Sequence, residues 1–315
     1  MTVYYHGIPL TPAEIKQFSP YHYLPTRAIA IVMILLFGVA TAIHLGQALK
    51  YRMYWLIPTV GLCGAGELIG WAGRLWSSID PISRHPFEIQ ITCTIVAPTP
   101  FLAASFVIFG KLIKRLGFQY SRLGPKWYTI IFCTCDVISL VVQGVGGGIA
   151  ATANTLKGAN LGAHIMLGGI GFQFLIIILF SLFALEYFYR YSRDVPVSKE
   201  VEIGSKILDS DSHSTTNIAG RYRGVITLRQ KVMAYSLVFT TTLLFIRAVY
   251  RLVELSDGWH GRIIEDQLLF NVLDATMIVL AMYTVVFIHP GYFLAEQPQL
   301  ESFQMVTQPP GKIQP

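Results

Sequence analysis

Arg247, Arg251 and Glu254 stand at i, i+4 and i+7 in the run FIRAVYRLVE. On a helix that spacing confines them to an arc of about 60°. Guanidinium groups suit phosphate or carboxylate, and carboxylates suit an amine. Gln267, Asn271 and Asp274 repeat the spacing, Glu67 and Arg74 are seven apart with Gly70 between them, and Asp136, Ser139 and Gln143 form a further line. His164 and Gln173, nine apart, fall on opposite faces, so at most one of them joins such a line. Two structural readings stand beside a functional one. Glu67, Asp274 and Glu254 neutralise Arg74, Arg247 and Arg251 and lock helices together, or Arg251 and Glu254 snorkel to an interface. In the functional reading the lines wall a hydrated cavity that receives an amphiphile's headgroup.

The elements that must carry these residues lie in hydrocarbon. The chain has 315 residues, 53% hydrophobic and 13% charged, with a mean hydropathy of +0.52. Seven stretches are long and apolar enough to cross a bilayer core of about 30 Å: 25-48, 54-76, 89-113, 128-150, 161-187, 232-254 and 265-288. An all-α, seven-helix polytopic bundle follows. The first stretch reads as a retained helix rather than a cleavable signal, because a polar segment precedes it and no small-residue cleavage site follows.

Sixteen Lys and Arg residues flank the spans on one side and five on the other, which predicts the N-terminus outside and the C-terminus cytoplasmic. The domain reading is an extracellular segment over 1-24, a membrane domain over 25-291 with a flexible cytoplasmic loop at about 189-231, and a cytoplasmic tail over 292-315. The net charge of +6 is then an excess facing anionic lipid, not a nucleic-acid footprint. Gly66-x-x-x-Gly70 and Gly144-x-x-x-Gly148 predict close helix packing within the chain, with a homodimer through Gly-rich faces as the alternative. Pro98 and Pro100 predict a kink in the third helix that frees carbonyls. The four cysteines all fall inside spans and read as buried apolar side chains.

Further stretches carry a resemblance: ELIGWAGR at 67-74, IVAPTPFLAAS at 95-105, FCTCDVISLVVQGVGGG at 132-148, GFQ at 171-173, FIRAVYRLVE at 245-254, LDA at 273-275 and HPG at 289-291. From about His44 to Gly291 the chain resembles the fungal RTA-like family of seven-helix lipid-translocating exporters. The resemblance implies sphingoid-base export or resistance to aminocholesterol and other toxic amphiphiles. It also implies importance for Glu67, Gly70, Arg74, Asp136, Gln143, Arg247, Arg251, Glu254 and Asp274. Trp71 replaces a usual Tyr, Gln267 stands where Glu is common, and Asn271 stands where Tyr is common.

The expected function is therefore translocation of membrane lipids or amphiphilic small molecules at the plasma membrane, without enzymatic activity, cofactor or metal. Transport would be passive or coupled to an ion gradient, with Asp274, Glu67 or Asp136 as proton carriers. The candidate headgroup site comprises Glu67, Arg74, Asp136, Gln143, Gln173, Arg247, Arg251, Glu254, Gln267, Asn271 and Asp274. The alternative is a seven-helix lipid-sensing receptor, against which the third helix ends GKLIKRLG with no acidic-Arg-aromatic lock. A metal-dependent intramembrane hydrolase would need converging ligands, yet His44, His164 and His289 sit singly on three helices.

Overall fold

The computed structural model describes residues 4–5, 8–9, 11, 14, 17–153, 155–197, 226–257 and 261–294. Most of the predicted 189-231 loop and the tail, including the Ser/Thr/Asp cluster at 209–217, lie outside the described residues. Seven helices are long and apolar enough to span a membrane: α1 (Arg27–Lys50), α2 (Tyr54–Ser77), α3 (Arg84–Leu116), α4 (Pro125–Thr152), α5 (Leu156–Arg193), α6 (Leu228–Ser256) and α7 (Gln267–Phe293). The protein is an all-helical, multi-pass integral membrane protein. A two-residue antiparallel pair, Tyr4–Tyr5 with Ile8–Pro9, is the single extended feature among the described residues.

Local caps define the starts of the later helices. Pro125 opens α4 at a position that needs no donor. The Thr155 side chain caps α5 through Gly158 N at 3.2 Å. Thr227 and Gln230 form a reciprocal capping box on α6, and Asp266 Oδ1 accepts from Leu268 and Leu269 at the start of α7.

Consecutive helices pack as neighbours, α7 closes the ring on α1, and α3 runs through the interior to touch α6. Accordingly α3 is the most buried span. It breaks at Ala97 into Arg84–Val96 and Pro98–Leu116, at the proline pair that predicted a kink. Two other departures are π-helical, the first with Pro58 at its start and the second without a proline. α2 starts through a π-helical turn at Ile57–Gly61, and α7 contains a π segment at Phe270–Thr276.

The two ends of the bundle differ. Toward the ends of α3 and α5, an aromatic cluster fills the interior: Phe106 meets Phe180 with centroids 4.7 Å apart, and Phe109 stands edge-on to Tyr128 at 5.2 Å. The opposite end, which carries the N-terminal segment, holds the polar lines. Close helix approach there uses glycine. A Cβ on Gly70 would lie 2.7 Å from Thr94 Cγ2, and one on Gly73 2.9 Å from the Pro86 carbonyl, so α2 and α3 meet backbone to backbone. The Gly144-x-x-x-Gly148 face differs from expectation: neither glycine has anything within 4 Å, whereas Gly146 and Gly147, on the other side of α4, make the close contacts. Of the cysteines Cys63 is buried, while Cys93, Cys133 and Cys135 are part-exposed.

Candidate functional site

The centre of the polar end is Arg251, 1% exposed. Its Nε and Nη2 donate to the two oxygens of Asp274, both at 2.7 Å, its Nη1 to Glu254 Oε2 at 2.6 Å, and its Nη2 also to Thr94 Oγ1 at 2.9 Å. This is the bidentate fork geometry that favours Arg over Lys in dry sites. Tyr250 Oη closes Glu254 from the other side at 2.9 Å. Arg247 Nε stands 2.9 Å from Asp274 Oδ1 but out of line for a directed hydrogen bond, so this is a charge contact.

Arg247 Nη2 donates to the Thr94 carbonyl. The sequence explains why that carbonyl is free. In an unbroken helix Thr94 O would accept from residue 98, and Pro98 has no N–H to give. The break in α3 thus creates an acceptor inside hydrocarbon, and an arginine from α6 satisfies it. Asp274 and the buried Asn271 both lie within the π segment of α7.

Glu67 is fully buried, and neither carboxyl oxygen has a partner at hydrogen-bond geometry, the Trp71 indole N–H interacting with it more loosely. Its electrostatic neighbours are Asp274, Arg247 and Arg251. The expected pairing with Arg74 does not form. Instead Arg74, also buried, has no carboxylate partner among the described residues. It donates from Nη2 to Tyr23 Oη at 2.8 Å and stacks among four rings, with Phe270 at 4.5 Å, Tyr21 at 5.3 Å, Trp71 at 5.6 Å and Tyr23 at 5.7 Å from Cζ. Cation–π attraction of this kind is strongest when desolvated, about 2 kcal/mol or more.

A second cluster joins α3, α4 and α5. Gln173 Nε2 donates to Thr99 Oγ1 at 3.2 Å and reaches Asp136 Oδ1 at 3.5 Å, and Gln143 Nε2 donates to Gln173 Oε1 at 2.9 Å. Asp136 Oδ2 and Gln143 Oε1 are buried without partners. Gln173 is therefore the member of the α5 pair that turns inward, while His164 is exposed. A gap of about 20 Å³ between Gln173 and Arg247, bordered by Pro98, separates the two clusters by the room of about one water.

The N-terminal segment roofs this interior. Tyr21 is buried, donates to Gln90 Oε1 at 2.9 Å and stands edge-on to Phe87 at 4.8 Å. Burial pushes its phenol up to about 12, so it remains a donor at any physiological pH. The space left between Tyr21, Tyr23, Arg74, Arg251 and Glu254 is about 10 Å³. The expected open cavity onto the charges is thus closed in this structure. Gln267 stays half-buried at the rim, within 3.4 Å of Thr26 Oγ1, and does not join Asp274. A larger cavity of about 290 Å³ lies beside the roof, between the N-terminal segment, α3, α4 and α5.

His44 and His289 are electrostatic neighbours, and His164 stands apart from them. His164 is exposed, His44 contacts the Met282 carbonyl, and His289 caps the last turn of α7. Sequence reasoning missed Thr94, Gln90, Tyr250, Phe270 and the Tyr21–Tyr23 roof. Gln90 and Thr94 were detectable as an i, i+4 polar pair on α3, and Tyr250 lies within the arginine run itself. No sequence period links the two tyrosines or Phe270 to Arg74.

Comparison with known proteins identifies the family. Residues 60–297 match the family described as RTA1 like protein. The chain is 30% identical over 281 residues to the sphingoid long-chain base transporter RSB1 of Saccharomyces cerevisiae, covering 85% of this chain and 72% of that protein. It is 28% identical to protein RTM1 of the same yeast, over 72% of this chain and 64% of the relative. To protoporphyrin uptake protein 1 it is 25% identical, over 84% and 90%. No solved structure matches. With the family match spanning most of the membrane domain, the chain belongs to the RTA1-like family.

Proposed function

We propose that this protein moves amphiphiles across a plasma membrane, the polar head passing through the charged interior while the apolar chain stays in lipid. The relative named as a sphingoid long-chain base transporter supports an amphiphile with an amine-bearing head. The observation that carries the reading is Glu67: a carboxyl group at 0% exposure with neither oxygen partnered at hydrogen-bond geometry. A buried acceptor left open costs about 1–3 kcal/mol, more for a charged group, and an ammonium head offers the donors it lacks. Glu67 and Arg74 lie about 10 Å apart along α2, so a head entering past Arg74 meets Glu67 after two helical turns. The 16-to-5 imbalance of flanking basic residues favours an orientation with the N-terminal end outside. Gln143, Asp136 and Gln173 continue the polar path, and Asn271 contributes a further buried acceptor. The role is that of a carrier and not of an enzyme.

The test is transbilayer movement of a fluorescent long-chain amine in proteoliposomes. The wild type should exceed empty liposomes at least tenfold, and Glu67→Gln, which keeps the shape but replaces the carboxyl group by an amide, should fall to near the empty-liposome rate. Wild-type rates equal to those of protein-free vesicles would remove the function. A wild-type rate in Glu67→Gln would remove Glu67 from the path.

A further inference from the structure

The cavity of about 290 Å³ beside the roof belongs to neither polar cluster. Its floor is made roomy by small residues, Gly147, Ala150, Ala151 and Ala159, with Ile91 and Met166 around them. Its mouth is polar. Glu88 is part-exposed, with a 3.8 Å contact to His85, and Arg84 is exposed. An apolar floor under a polar mouth is the lining expected for an amphiphile taken head outward.

The volume narrows the class. It lies at the lower end of ligand pockets, about 300–1,000 Å³, which is room for a head and the first part of one chain but not for two chains side by side. The part-exposed Glu88 carboxylate supplies an acceptor suited to an amine.

Position adds the second argument. Phe87 and Ile91 border both this cavity and the gap of about 10 Å³ that touches Arg74, Arg251 and Glu254. One layer of side chains, Phe87 with Tyr21 edge-on against it at 4.8 Å, separates the open cavity from the closed charge cluster. We infer that this cavity is a binding station for a single-chain amphiphilic amine at the N-terminal end, one aromatic layer away from the charged interior. This rests on the translocation reading for its ligand class, but binding here is measurable without transport.

The experiment is photolabelling of the full-length protein in nanodiscs with a single-chain long-chain amine carrying a diazirine near its head, followed by peptide mapping. Label should concentrate on segments 84–92 and 147–166 and should be competed by unlabelled long-chain amine. A two-chain phospholipid carrying the same diazirine should not concentrate there. Ala151→Trp, which fills the floor, should cut labelling of these segments at least fivefold, with the thermal unfolding midpoint checked in parallel. Phe87→Ala should extend label to 247–254 on α6. Glu67→Gln should lose transport while retaining the label, which separates the two proposals. Label spread evenly over lipid-facing helices, or unchanged by Ala151→Trp in a folded protein, overturns the station even if transport is intact. Retained site labelling in a protein that fails to transport supports the station and removes only the transport reading.

Discussion

Asp274→Ala should destabilise the protein by about 3–5 kcal/mol, the typical consequence of stripping one partner from a buried ion pair. Asp274 is 1% exposed and takes both oxygens to Arg251 at 2.7 Å while holding Arg247 at 2.9 Å. Its removal leaves two guanidinium groups from α6 facing a cavity in hydrocarbon. Thr94 on α3 retains a bond to each, so some attachment of α6 survives, while Glu254, on α6 itself, keeps its bond to Arg251. Thermal unfolding of purified variants in detergent measures the effect. Asp274→Asn, which keeps an acceptor oxygen, should fall between alanine and wild type. Arg247→Ala combined with Asp274→Ala should lose less than the sum of the two single changes, because the pair is one interaction counted twice. An Asp274→Ala protein within 1 kcal/mol of wild type would show that the cluster does not hold α6 to α7.

The second large effect falls on α4 and α5. A Cβ on Gly162 would lie 2.6 Å from the Gly146 carbonyl oxygen and 2.8 Å from Ala150 Cα, both backbone atoms. Overpacking against movable side chains costs about 1–3 kcal/mol. Here no side chain can yield, so Gly162→Val must push the two helices apart and should exceed the upper end of that range. Gly144→Val is the control, since Gly144 has nothing within 4 Å. Measured side by side, the first should lower the unfolding midpoint strongly and the second hardly at all. Equal losses would mean that helix propensity, not the α4–α5 approach, sets the response.

The charged members of α6 were legible because arginine and glutamate inside an apolar run are expensive unless inward and paired. The spacing of Arg247, Arg251 and Glu254 assigned them one face, and the structure puts them there. Glu67 and Arg74 show the limit of the same reasoning. They share a face of α2, but two helical turns separate them, and Arg74 finds its partners in Phe270 and the Tyr21–Tyr23 segment. Those contacts are set by tertiary packing and leave no periodic trace. The break at Pro98 was legible as a kink, and its use was not, since which donor reaches the freed Thr94 carbonyl depends on α6 lying beside α3. Gln267 was placed in line with Asp274 by counting at 100° per residue, a count that the π segment Phe270–Thr276 invalidates. The glycine pairs read correctly on α2 and on the wrong side of α4, because spacing identifies a smooth ridge without saying whether a neighbour occupies it.

That π segment has a consequence for the family's tolerance of length change. A π turn amounts to one residue more than an α-helix needs over the same rise, so the stretch FNVLDAT behaves as an inserted residue that α7 has absorbed. Losing one residue between 270 and 276 would close the stretch as a regular α-helix with its two flanks nearly in phase, and would displace chiefly the residues inside it. Substitutions in this stretch test single side chains, but a deletion tests whether the widened turn is needed to seat Asn271 and Asp274. Val272, exposed on the outer side of the same stretch, would feel such a closure least, and the buried Asn271 and Asp274 most.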